Sequence, residues 1–152
     1  MATVRFTVPL VPPSVNHYVK HTNDGQHILT PEAIAFKDAV AIFSGGEHLA
    51  AKRYAVNLAI YLGKGQRGDI DNFPKCVLDG LKNYVIGSDA AVKRLLIDLD
   101  RDAHNPRTEI EVATQWRPYS ELLQLADLGW RCPSCGFYID HTGTSSTAIS
   151  TP

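Results

Sequence analysis

The stretch YAVNLAIYLGKGQRGDIDNFPKCVLDGL, residues 54–81, changes periodicity part-way and thereby sets the order of elements in the chain. Its first part alternates, with Val56, Leu58, Ile60 and Leu62 on one side, the period-2 signature of a strand with a buried face. Gly63, Gly65 and Gly68, interleaved with Lys64 and Arg67, then break the strand into a flexible basic loop. From about Asn72 to Tyr84, Phe73, Val77, Gly80, Leu81 and Tyr84 cluster on one side at helical spacing, and Gly87 closes the unit. The reading is strand, loop, helix.

Towards the N-terminus, residues 3 to 10 alternate through Val4, Phe6, Val8 and Leu10, predicting a half-buried strand that Pro9 assigns to a sheet edge. Pro12 and Pro13 stiffen an extended loop through Asn16, and the polar run from His17 to Gln26 reads as a mobile loop before a short strand at His27 to Leu29. Thr30-Pro31-Glu32 is a helix start, because the hydroxyl caps a free N–H and proline needs none in the first turn. Phe36, Val40 and Phe43 continue that helix until Gly45-Gly46 ends it. Towards the C-terminus, residues 92 to 100 and 108 to 116 read as strands joined by the turn from Asp102 to Pro106. The order β-α-β-α-β-β predicts an α+β fold: a mixed sheet of about four to five strands with two helices packed on it.

The 152 residues, 44% of them hydrophobic, suffice for one domain and a tail, divided at residues 1–118 and 119–152. The N-terminus enters a strand pattern without the apolar stretch of a signal peptide or membrane span, so a cytoplasmic location and no membrane partner are expected. Three cysteines, an odd number, argue against a disulfide framework. A net charge of -1 argues against a nucleic-acid partner, whose phosphates normally demand a basic surplus. Two considerations weaken that objection. Ten Lys and Arg stand against seven Asp between Lys52 and Arg107, and metal ions bound by aspartates reverse the local sign.

The residues that point to chemistry are Asp69-Ile70-Asp71. In an extended backbone, carboxylates at i and i+2 project from one face with Cα atoms ~7 Å apart. Mg²⁺ takes oxygen ligands and keeps several waters, so convergent carboxylates suit it and leave room for a phosphate. With Asp71 at a helix start, Lys75 lies one turn on, on the same polar face. Asp89 follows the helix in a loop, where chain reversal is expected to return it towards Asp71. The same residues have a plainer reading: Asp71 or Asn72 as a helix cap, Asp69 in a solvated turn, and Lys75 in an i,i+4 ion pair with Asp79.

The run from Gly68 to Leu81, followed by Ile86-Gly87-Ser88-Asp89-Ala90-Ala91-Val92, resembles the signature of the RusA family of Holliday junction resolvases. The shared pattern is Asp-x-Asp-Asn-x-x-Lys, then Leu-Asp-x-Leu, then an acidic loop before a valine. Pro12-Pro13-Ser14-Val15-Asn16 and Leu29-Thr30-Pro31-Glu32 resemble the family's N-terminal loop and first helix entry, so the likeness covers roughly residues 4 to 116. The resemblance implies that Asp69, Asp71 and Asp89 are metal-binding aspartates and Lys75 a catalytic lysine. It also implies a homodimer, often phage-borne, that uses Mg²⁺ or Mn²⁺ to nick four-way junctions. Lys64, Arg67 and Asn16 are then candidate DNA contacts; a solvated loop and an Asx turn are their plainer roles. Two departures stand out. Ser88-Asp89 replaces an acidic pair, and Asp98-Leu99-Asp100 occupies a strand where a basic residue is expected.

Beyond that region, Leu122, Leu123, Leu125 and Leu128 predict a short amphipathic helix. Cys132 and Cys135 form a Cys-x-x-Cys pair, half of a Zn²⁺ ribbon with His141 as the one proposable third ligand; a reduced, metal-free pair is the alternative. A flap- or fork-specific nuclease, or a non-catalytic DNA-binding or zinc-ribbon adaptor, are the competing functions.

Overall fold

A computed structural model describes residues 2–114 apart from residue 83, so the readings of Leu122 to Leu128, Cys132, Cys135 and His141 lie outside the described residues. Strands β1 (Thr3–Val8), β4 (Tyr54–Leu62), β5 (Val92–Arg101) and β6 (Arg107–Ala113) form one mixed sheet. Its order is β1-β6-β4-β5, with β4 and β5 parallel and the other neighbours antiparallel. A separate hairpin of β2 (Val19–His21) and β3 (His27–Leu29) precedes helix α1 (Pro31–Phe43), and helix α2 (Pro74–Leu81) lies between β4 and β5 in the chain. The architecture is α+β, as expected, with four strands in the main sheet.

Periodicity decides which face is covered. Val56, Leu58, Ile110, Val112, Val4 and Val8 join Phe36 and Val40 of α1 and Val77 and Leu81 of α2 in one buried cluster. Each such side chain contributes roughly 1.5–3 kcal/mol by leaving water, so this helix-covered face holds the fold together. Gly80 lets the helices close: a Cβ there would lie 3.2 Å from Cγ2 of Val40. On the opposite face, Asn57, Ala59, Glu109 and Glu111 carry no helix above them among the described residues. No helix of the described residues is long and apolar enough to cross a membrane.

Thr30 caps α1 as its position requires, its Oγ1 accepting from the Ala33 N–H at 3.3 Å, with Pro31 in the first turn. β1 takes the edge position that Pro9 forecasts. The strands before and after Asp102 are joined by the expected turn, and β4 lies between them in the sheet, its backbone paired on both edges. Two expectations need correction. Residues 17 to 26 are not all loop, because Val19–His21 pairs with His27–Leu29 across a turn in which Gly25 has φ 75°. The second helix spans Pro74–Leu81 rather than 72 to 84: Pro74 occupies its first turn, and Lys82 is extended (φ -61°, ψ 133°).

Candidate active site

The chain leaves β4 through a structured turn. Gly65 adopts φ 76°, and the Gly63 N–H donates to Gln66 Oε1 at 2.7 Å. Phe73 then anchors the far end of the loop: it is 3% exposed and packs with Ile60 and Leu62 of β4, and with Val11, Ile97 and Leu99. Gly68 lies against the Phe73 ring, so residues 69 to 72 are pinned at both ends.

Between these anchors Asp69 is extended (φ -88°, ψ 150°), but the residues after it are not. Ile70–Asn72 form a 3₁₀ turn in which the Asn72 N–H donates to the Asp69 carbonyl at 3.0 Å. Strand alternation therefore stops at Asp69: Asp71 lies inside the turn, so the extended backbone assumed between the two carboxylates is not present. Both are exposed, and neither side chain caps a helix. Asp89 opens a second 3₁₀ turn, Asp89–Ala91, and its Oδ1 accepts from the Ala90 N–H at 3.0 Å. Both turns pack against α2. The chain reversal thus returns Asp89 to the helix that follows Asp71. Among the described residues, however, no three His, Cys, Asp or Glu side chains stand close enough to hold a metal ion.

Lys75 has a defined hydrogen-bond partner. Its Nζ donates to Asp79 Oδ1 at 2.7 Å, and the phenol of Tyr18 donates to Asp79 Oδ2 at 2.7 Å. The Asp79 hydrogen bond raises the lysine's proton affinity against the opposing effect of burial, and the charges of Asp79 and Asp89 add to it. Lys75 is therefore a fixed cation within the field of Asp89. Burial works to raise the Asp79 carboxyl, but hydrogen bonds from Lys75 and Tyr18, with the charges of Lys75 and Lys37, hold it below the usual aspartate value. Cys76, the next residue along, is inert: burial first, then Asp79, pushes its thiol up to about 12.

Spacing forecasts the Lys75–Asp79 pair. Tyr18 carries no such signal, since it reaches Asp79 across 61 residues of sequence. The other candidates meet elsewhere. Arg67 lines a cleft of about 260 Å³ with Pro12, Pro13, Ser14, His17 and Glu32, and Asn16 lies exposed in the 3₁₀ turn that borders it. Ser14 Oγ and His17 Nδ1 are 3.1 Å apart across that turn. Lys64 is exposed outside the cleft lining. Asp98 faces the open side of the sheet with Glu109 and Glu111, where Glu111 pairs with Arg5 and Glu109 with Arg107.

Residues 9–113 match the protein family described as Endodeoxyribonuclease RusA, a span that includes every candidate from Asn16 to Asp89. The chain belongs to the RusA family. It is accordingly an endodeoxyribonuclease, and the RusA match ends where β6 ends. No curated protein matches the chain.

Proposed function

We propose that this chain is a Mg²⁺- or Mn²⁺-dependent endonuclease that nicks four-way DNA junctions as a homodimer, with Asp69, Asp71 and Asp89 holding the metal and Lys75 beside it. The observation that carries the reading is Lys75, held by Asp79 Oδ1 at 2.7 Å on α2, the helix against which both acidic turns pack. The donor set fits the ion in kind but not in distance: among the described residues no three such side chains stand together, so binding must draw Asp69, Asp71 and Asp89 in. All three side chains offer hard carboxylate oxygens, and none of the three is in an ion pair among the described residues. When bound, the metal lowers the pKa of water and screens the phosphate.

The chain's own residues supply the rest. Lys75, with its side chain 54% exposed, is available to a scissile phosphate and stabilises negative charge developing on the departing oxygen. Its raised proton affinity makes it an electrostatic partner rather than a base. Lys64 and Arg67, exposed on the loop after β4, grip the backbone of a branch.

Asp98 and Asp100 on β5, where the family resemblance leads to the expectation of a basic residue, favour a second reading, a flap or fork nuclease. Cleavage of labelled four-way, three-way and flap substrates in Mg²⁺ or Mn²⁺ separates the two. Preferential symmetric nicking of the four-way substrate is expected. Binding without nicking of any substrate replaces both with a non-catalytic adaptor.

A further inference from the structure

The Asp79 carboxylate is held at both oxygens by groups from different parts of the chain. Oδ1 accepts from Lys75 on its own helix, and Oδ2 accepts from Tyr18, which precedes β2. Tyr18 is 7% exposed and belongs to the main buried cluster, so its ring position is set by packing rather than by Asp79. The same segment is tied down again nearby, where Thr30 Oγ1 donates to the His17 carbonyl at 2.9 Å.

A surface lysine paired at i,i+4 ordinarily samples many rotamers, and such pairs hold geometry weakly. Here the acceptor cannot follow the lysine, because a buried phenol fixes the orientation of its carboxyl plane. Lys75 thus has one anchored end for its ammonium while the rest of the side chain stays accessible. Resting on the proposed role of Lys75 at the phosphate, we infer that Tyr18 and Asp79 are positioning residues, a phenol–carboxylate bracket that fixes the Lys75 ammonium for cleavage without touching DNA.

The bracket makes a pattern of effects that simple stabilisation does not. Tyr18→Phe keeps the packed ring and removes only the donor; Asp79→Asn keeps shape and removes the charge. Single-turnover cleavage of a four-way junction in Mg²⁺ is measured for each, with junction affinity measured in Ca²⁺. Tyr18→Phe is expected to slow cleavage about tenfold, since misplacing a reacting group by ~1 Å costs up to ~10²-fold, and to leave affinity unchanged. Asp79→Asn is expected to slow it further. In a Lys75→Ala background, followed at excess enzyme, Tyr18→Phe is expected to add nothing.

The NMR signal of the Lys75 ammonium gives a second readout, independent of activity and of Lys75→Ala. Tyr18→Phe is expected to shift it and hasten its hydrogen exchange. An unchanged ammonium signal, or equal slowing by Tyr18→Phe with and without Lys75, overturns the bracket while leaving the proposed function intact. Full cleavage by Lys75→Ala overturns the role of Lys75 and the bracket with it.

Discussion

Gly68 meets Phe73 so closely that a Cβ added to the glycine would lie 2.4 Å from Cζ of the ring. Phe73 has no room to retreat, because it is itself packed on Ile60 and Leu62. Between these two residues runs the turn bearing Asp69 and Asp71. Gly68→Ala is expected to destabilise by about 1–3 kcal/mol, as overpacking does, and to lower cleavage by displacing that turn. Adding Phe73→Leu should recover part of the stability, a non-additivity readable in urea titrations. Independent effects of the two changes would dissociate the close approach from the loss.

Much of the fold was legible because its strongest signals are local. The alternation of β4 and the cap and stripe of α1 are written within a dozen residues each, and both elements are observed. The hairpin of β2 and β3 was not legible from periodicity, since Val19–His21 is three residues long and mostly polar; the turn dipeptide Asp24-Gly25 was its one signal. Nor does alternation name a partner, which is why β4 separates β5 from β6 unannounced. At the site, Lys75 and Asp79 were readable from spacing, whereas Tyr18 depends on a contact formed only by folding. The extended backbone assumed from Asp69 to Asp71 is replaced after Asp69 by the 3₁₀ turn Ile70–Asn72, whose short run carries no periodic signal.

Tyr54 provides a stability test remote from the proposed chemistry. Its buried hydroxyl donates to the Leu49 carbonyl at 2.6 Å and accepts from the Ala51 N–H at 3.0 Å, closing the loop that leads into β4. Tyr54→Phe leaves both backbone groups unpaired, an expected cost of about 1–3 kcal/mol. Thermal and urea unfolding should both register it, with cleavage at low temperature unchanged. Parental stability would mean that these backbone groups find other partners.

The Lys75–Asp79 pair gives the protein a defined dependence on pH. Asp79 is held below its ordinary value of 3.8, so its contribution is present above that value and lost as pH falls through the depressed one. Lys75 is raised above 10.5, so its contribution is present below that value and lost as pH rises through the higher one. Asp79→Asn should therefore be less stable than the parent around neutrality, with the gap closing at both extremes. A gap that persists unchanged below pH 3 would assign the loss to packing rather than charge.

Lys64 and Arg67 are testable through salt. If both neutralise phosphates, replacing them with alanine weakens binding to all branched substrates alike. It also reduces the slope of log affinity against log salt by about two, roughly one for each phosphate no longer neutralised. A weakening confined to one substrate would mark the loop as a reader of branch shape. An unchanged slope would return both residues to a solvated loop.

Asp71→Asn bears most directly on the acidic turns. The substitution removes one charge at little change of shape, and Asp71 lies exposed in a 3₁₀ turn, so folding should be unaffected. Cleavage should fall by roughly 10²-fold or more, the scale of losing one charge-stabilising group from an active site. Junction binding should persist or strengthen, because a negative charge facing phosphate has been removed. Chelation of divalent ions should abolish cleavage by the parent, and Mn²⁺ should restore it. Parental rates from Asp71→Asn, or cleavage that survives chelation, would detach the chemistry from these carboxylates and send the search to the cleft beside Arg67 and His17.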